Sequence, residues 1–277
     1  MSQPPLQPPA LTEQSLRDCL RTVIIGKRIE LHGQVGSTND LAREADRQGA
    51  AEGLVLVAEE QVAGRGRLGR VWSAPPGCCI LCSVLLRPRF APQHAFYLTI
   101  AASLAIYRAA AASFISDAGI SRLESKPSVS IKWPNDVLIK GKKVAGILCE
   151  SEFGGEGWVF AVIGFGINAN LDPEQFGALQ ATATSLSTEI GHPVDRAALL
   201  CRVLSELEDL YLSLQNGQFG LIHSEWASAL ETIGKRVKVR QPDGTLEGYA
   251  LRVDHEGALV LRLNSGEERR IFAGDVT

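Results

Sequence analysis

Four β-like runs, 129–133, 136–139, 143–152 and 158–168, follow one another with only a few residues between them. Parallel strands in one sheet need a crossover of a dozen or more residues. The turns here, Lys140-Gly141 and Gly154-Gly155, are far shorter, so antiparallel hairpins are predicted. Upstream, residues 28–35 alternate like a strand, and 54–59 and 79–86 also read as strands. Apolar residues at helical spacing predict helices over 11–22, from Ser37 to Gly49, and over 93–113, 195–215 and 219–230. Ser37, with Asp40 three residues on, has the pattern of an N-cap.

Helices mixed with hairpins make the large unit α+β, a mixed β-sheet flanked by helices. From Lys235 onward the character changes. Short β-like runs are separated by Pro242-Asp243-Gly244, Glu256-Gly257 and Ser265-Gly266, which predicts a small β-barrel-like domain. The expected partition is a tail and short helix over 1–27, a catalytic unit over 28–232 and a small C-terminal domain over 233–277.

A net charge of −3 advertises neither nucleic acid nor an anionic membrane as partner, so any positive site must be local. The first ten residues are rich in Pro and Gln and lack the apolar centre of a signal peptide. No apolar run is expected to reach the ~18 residues of a membrane span. A cytoplasmic location is the expectation. Cys79 and Cys82 form a CxxC, but inside a strand their side chains point to opposite faces. No second pair completes a zinc set, so all six cysteines are expected to be free thiols, as in a reducing compartment.

Gln61-Val62-Ala63-Gly64-Arg65-Gly66-Arg67-Leu68-Gly69-Arg70-Val71-Trp72 carries the most chemical information. It satisfies GxGxxG, yet Pro75, Pro76 and a strand follow where a dinucleotide site needs a helix N-terminus. It also satisfies the kinase pattern GxGxxGxV, but no HRD-type or DFG-type segment lies downstream. What remains is a loop with three arginines and three glycines. Its backbone can approach a ligand closely, and its guanidinium forks suit carboxylate or phosphate. The bland alternative is a solvated basic loop.

Gly64 to Arg70 resembles the GRGRxGR loop of biotin protein ligases. Gly36-Ser37-Thr38-Asn39 is similar to that family's (G/S)STN segment, Lys132-Trp133-Pro134-Asn135-Asp136-Val137 and Lys143-Val144-Ala145-Gly146-Ile147-Leu148 to its KWPND and K(V/L)AGIL pair, and Gly164-Phe165-Gly166-Ile167-Asn168 to its GxGxN turn. The resemblance spans Arg28 to the C-terminus. It implies a sheet akin to class II tRNA synthetases, an SH3-like C-terminal domain, and ATP, biotin and magnesium as substrates and ion. Ser37, Thr38, Asn39, Gln61, Gly64, Arg65, Gly66, Arg67, Lys143, Gly146 and Gly164 would line biotin. Arg70, Trp72, Lys132, Asn135 and Asn168 would face the nucleotide. Lys143, Arg67 and Arg65 would be catalytic, and Asp136 would bind magnesium or orient the acceptor lysine.

Two departures from the pattern are small. Val62 replaces a small polar residue, and Phe165 is bulkier than the usual aliphatic and would tighten the pocket wall. One departure is large: many bacterial members carry an N-terminal helix-turn-helix, and here only a tail and one helix precede Arg28, so a short form without the DNA-binding domain is expected; the first helix sets Arg17 and Arg21 against Glu13 and Asp18 and offers no basic face. The expected partner is a biotin carboxyl carrier domain, with no DNA and no membrane; monomer and homodimer both stay open.

Other readings of single residues stand beside these. Ser37 could be only a helix cap, and Lys143, following Lys140 and Lys142, only a hairpin cation. Trp133 and Pro134 are read as packing residues. A lipoate or octanoate ligase of the same fold, a biotin-responsive DNA-binding regulator and a non-catalytic biotin-binding module are the rival functions.

Overall fold

The structure, a computed structural model, describes residues 10–114, 128–155, 157–172, 174, 175, 177 and 181–277. Most of the expected N-terminal tail lies outside the described residues. In chain order the elements are α1 (Glu13–Cys19), β1 (Arg28–Val35), α2 (Thr38–Arg47), β2 (Leu54–Gln61), β3 (Cys79–Leu86), α3 (Phe96–Ser113), β4 (Val129–Lys132), β5 (Asp136–Ile139), β6 (Lys142–Gly154) and β7 (Gly157–Asn168). Then come α4 (Leu186–Ile190), α5 (Arg196–Gln215), α6 (Phe219–Ala229), β8 (Arg236–Gln241), β9 (Gly244–Val253), β10 (Leu259–Leu263), β11 (Glu268–Ile271) and β12 (Asp275–Val276).

The large sheet runs β1-β2-β3-β7-β6-β5-β4. Only β1 and β2 pair parallel, joined through α2; every other pairing is antiparallel, as the short turns demand. The fold is therefore α+β with a mixed sheet. A second, five-stranded antiparallel sheet, β11-β10-β9-β8-β12, forms the SH3-like C-terminal part.

Alternation along β3 and β7 separates two environments. Ile80, Cys82, Val84 and Leu86 join Ala161, Ile163, Phe165 and Ile167 in the main core beneath α3 and α5. On the opposite face Leu85, Phe160 and Val162 pack under α2, while Cys79 and Leu81 form a separate small cluster. The stretch of that face between the two clusters is glycine and polar, and it is free for a site. Each Leu, Val, Ile or Phe buried in the main core adds ~1.5–3 kcal/mol relative to exposure. The sheet is thus stabilised chiefly from one face, and the other is the less apolar.

α3 is apolar on all sides because it lies between the sheet and α5. Residues Pro92–Ser113 are long and apolar enough to cross a membrane, contrary to the expectation above, but 61% of the apolar 18-residue window within them is buried in the protein. A core helix accounts for it. The C-terminal barrel docks on the end of α3 and on the β4–β5 corner. Trp133 Nε1 donates to Gly257 O at 3.0 Å, and Tyr97 Oη to His255 O at 3.0 Å. Gly257 (φ +81°) lies so close that a Cβ would be 2.1 Å from the Phe96 ring. Trp133 is accordingly buried, as a packing residue.

The expectation that all six cysteines are free thiols is corrected. Cys19 of α1 and Cys201 of α5 form a disulfide with Cα atoms 6.0 Å apart. The two lie 182 residues apart in the chain, and only the packing of α1 on α5 brings them together. Cys78, Cys79, Cys82 and Cys149 are free. Cys79 and Cys82 face opposite sides of β3 as predicted, and burial pushes the Cys79 thiol up to about 12.

Candidate active site

The site begins as a buried polar pocket between the first turn of α2 and the middle of β3, β7 and β6. Ser37, Thr38 and Asn39 are all buried. Ser37 occupies the N-cap position as read from the sequence, with α2 starting at Thr38, but its side chain makes no capping bond. Gln61, the last residue of β2, reaches this turn, and its Oε1 accepts the Thr38 amide at 2.7 Å. Ser83 Oγ lies 2.7 Å from Thr38 Oγ1 and 2.6 Å from Asn39 Oδ1. Asn39 Nδ2 donates to Glu150 Oε2 at 2.7 Å. Gly164 of β7 leaves room for Asn39: a Cβ there would lie 2.0 Å from Asn39 Oδ1.

Residues 164–168 form the end of β7 rather than a turn, so that reading is corrected too. Strand alternation turns Gly164, Gly166 and Asn168 to the site and Phe165 to the opposite core. Phe165 therefore does not tighten the pocket wall.

The arginine-glycine segment is a small closed structure. Trp72 N donates to Gly64 O at 3.0 Å and Gly66 N to Arg70 O at 2.7 Å, with Arg65 and Val71 bridged. Gly64 is required there, since a Cβ would sit 2.3 Å from Trp72 O. Leu68 (φ +55°) and Gly69 (φ +73°) make the tip of the turn.

Four cations of this region are each held by an oxygen from a different element. Arg65 pairs through both terminal nitrogens with Asp40 of α2, and Arg67 donates to Asn135 Oδ1 at 3.0 Å. Arg70 pairs with Asp275 of the C-terminal barrel, and Lys143 Nζ lies 2.7 Å from Asp136 Oδ1. The Arg65 guanidinium holds the Asp40 carboxyl down at about 2. Burial lowers the Arg67 pKa, yet a guanidinium remains charged.

Trp72 joins the two halves of the site. Its ring lies on the glycine floor: a Cβ on Gly166 would be 2.5 Å from Cε2, and one on Gly146 would be 3.1 Å from Cζ3. Lys143 Nζ stands 5.4 Å from the ring centroid, within cation–π range. Trp72 Nε1 is buried with no hydrogen-bond partner. Lys143 is placed by its backbone, whose N–H donates to Thr182 O at 2.8 Å and whose C=O accepts from Thr184 N at 2.9 Å. Thr184 O also accepts from Asn168 Nδ2 at 3.0 Å, so one brace sets both residues. Asn135 donates to Ile147 O at 2.7 Å. Lys132 lies across the β4–β5 turn from Asp136 and has no carboxylate at ion-pair distance among the described residues.

Sequence reasoning did not single out Ser83, Glu150, Thr184 or Asp275. Ser83 had a signal: it is the one hydroxyl in the otherwise apolar strand Cys79–Leu86. The others act through contacts that no local spacing encodes.

A model described as the biotin/lipoate A/B protein ligase family matches residues 32–168, and one described as the biotin protein ligase C terminal domain matches residues 232–277. The chain is 37% identical over 276 residues to the biotin–[acetyl-CoA-carboxylase] ligase of Mycobacterium tuberculosis, covering 98% of this chain and 96% of that protein. The chain belongs to the biotin protein ligase family. It is also 35% identical over 271 residues to the bifunctional ligase/repressor BirA of Bacillus subtilis, covering 98% of this chain and 80% of that one. The biotin protein ligase of Aquifex aeolicus, solved in complex with biotin and ATP, matches with a TM-score of 0.72 and 25% identity, covering 91% of this chain and 98% of that one. The three glycines of the floor and the arginine loop thus stand in a family of biotin ligases.

Proposed function

We propose that the chain activates biotin with ATP and transfers it to a lysine of a carrier domain. In the first step a biotin carboxylate oxygen attacks the α-phosphorus of ATP, forming biotinyl-5′-adenylate and releasing pyrophosphate. In the second, the neutral ε-amine of the acceptor lysine attacks the acyl carbon, AMP leaves and the nitrogen loses a proton. One observation supports the reading: the buried polar cluster of Thr38, Asn39, Gln61 and Ser83 shares a sheet face with the glycines that Trp72 covers, and Lys143 stands beside that ring.

The first step brings two anions together, so positioned cations are its main requirement. Lys143 and Arg67 would face the joining carboxylate and phosphate, with Arg65 holding the loop. Thr38, Asn39, Gln61, Gly64, Gly66, Gly146 and Gly164 would line biotin, with Ser37 at the mouth. Trp72, Asn135, Asn168, Lys132 and Arg70 would face the nucleotide. Among the described residues no three potential ligand side chains cluster for a metal. Asp136 is held by Lys143 and Asp275 by Arg70, which suits a magnesium ion brought in on the phosphates of ATP. The loop, closed over the adenylate, would keep water from the mixed anhydride. The acceptor would be the carrier domain of a biotin-dependent carboxylase, as the name of the mycobacterial relative suggests.

The test is incubation with ATP, biotin and a carrier domain, followed by detection with avidin. Pyrophosphate exchange that depends on lipoate instead of biotin would refute the proposal in favour of a lipoate ligase.

A further inference from the structure

The polar pocket holds fewer hydroxyl hydrogens than short contacts, and the shortage fixes its polarity. Asn39 Nδ2 faces Glu150 Oε2 at 2.7 Å and Leu148 O at 3.3 Å, both acceptors only, so that end of the amide is nitrogen. Asn39 Oδ1 then faces Ser83 Oγ at 2.6 Å and must accept the single Ser83 hydrogen. The Thr38 hydroxyl, 2.7 Å from Ser83 Oγ, must donate in its turn to Ser83. Its 3.1 Å contact with Gln61 Oε1 is the longest of the three hydroxyl contacts and goes without a hydrogen; the Thr38 amide satisfies that oxygen at 2.7 Å. Thr38 Oγ1 is left presenting a lone pair. Gln61 is left presenting the hydrogens of Nε2, which lies beside Gly64 at the base of the arginine loop. One acceptor next to one donor matches a cyclic urea, whose N–H and C=O lie side by side.

We infer that Glu150 is a positioning residue that sets this polarity through Asn39 and Ser83, and so makes the pocket selective for a cyclic urea. The inference rests on the biotin reading above. Glu150 is also placed to tie the pocket to the loop, with Arg43 Nη1 at 3.5 Å and Arg65 Nη2 at 3.6 Å. It need not touch the ligand.

The experiment measures pyrophosphate exchange for the wild type, Glu150→Gln and Glu150→Ala with biotin, desthiobiotin and 2-iminobiotin. Desthiobiotin keeps the urea, and 2-iminobiotin replaces its carbonyl oxygen with nitrogen. A buried polar group left unpaired predicts a rise of roughly 5- to 150-fold in KM for biotin and desthiobiotin in Glu150→Ala. The preference for biotin over 2-iminobiotin should narrow by a similar factor, with KM for ATP unmoved. Glu150→Gln still offers Asn39 an oxygen and should recover most of both. A general packing defect would not alter the ratio between the analogues. If Glu150→Ala does not fold, Ser83→Ala breaks the same relay one step on and should narrow the same preference. An active enzyme whose variants keep KM and preference within about twofold of wild type overturns the relay alone. A wild-type chain inert toward biotin overturns both the relay and the function.

Discussion

Gly164 and Gly166 are two residues apart on one strand, one beneath Asn39 and the other beneath Trp72, so the proposed function gives them to different substrates, and alanine at each separates the two. Neither has a positive φ, so alanine suits the backbone at both; only the space above differs. At Gly166 a Cβ would lie 2.5 Å from Trp72 Cε2 and 2.7 Å from Cζ2. Ordinary carbon–carbon contact begins near ~3.5 Å, so the ring must retreat by about 1 Å. Overpacking of this kind costs ~1–3 kcal/mol, which is a factor of about 5–150 in an equilibrium constant. The indole belongs to the loop and β7 to the centre of the sheet, so the loop should yield. Gly166→Ala should therefore raise KM for ATP by about that factor, leaving KM for biotin within about threefold. At Gly164 the Cβ would meet Asn39 Oδ1 at 2.0 Å, and Asn39 is anchored by Leu148 O and Glu150. Gly164→Ala should raise KM for biotin instead. The assay is biotin-dependent pyrophosphate exchange with each substrate varied in turn, beside a thermal melt. Equal effects of the two variants on both substrates would refute the division of the floor. So would a Gly166→Ala enzyme with wild-type constants, or a melting loss that Trp72→Leu fails to relieve.

Lys143→Ala should lose ~10²–10³ in adenylation rate while the melting temperature holds, since Lys143 is a half-exposed cation placed by its backbone; near-normal single-turnover adenylation would remove it from catalysis. Arg67→Gly frees the loop from Asn135, and the variant should release biotinyl-adenylate and label bystander lysines, read by avidin blotting of an added inert protein. For Asp40 the folded-state pKa is depressed, to about 2 from 3.8, so its stabilisation is complete above about pH 4 and is lost as pH falls toward 2. Because the pair is exposed, the contribution is expected below ~1 kcal/mol. Acid titration of the melting temperature should lose that slope in Asp40→Asn, and an unchanged slope would show that Arg65 does not hold Asp40 in solution.

Much of the architecture was legible because its causes are local. The alternation of 28–35, the apolar run Cys79–Leu86 and the glycines of the 140–141 and 154–155 turns dictate strands and hairpins whatever surrounds them. Gly64 to Arg70 marked the cationic loop for the same reason, since glycine freedom and arginine forks belong to residue types. The resemblance then joined four separated segments into one site. Reasoning failed where a role depended on a face: Phe165 has the right neighbours in sequence, but alternation on β7 turns it to the α3 side. At Ser37 the N-cap position was legible, but the pattern specifies a position and not the direction of a hydroxyl, and no side-chain capping bond forms.

By itself, then, the sequence determined the strand and helix periods, the antiparallel pairing over 129–168, and the identity of the cationic loop. Those follow from sterics and spacing within a few residues of each other. Only the tertiary structure decided that Asp40, Asn135, Asp275 and Asp136 hold the four cations, that Cys19 meets Cys201, and that Glu150 stands behind Asn39. Each of those pairs is brought together across the chain by sheet register and helix packing, and side-chain chemistry alone carries no record of which distant partner the fold will supply.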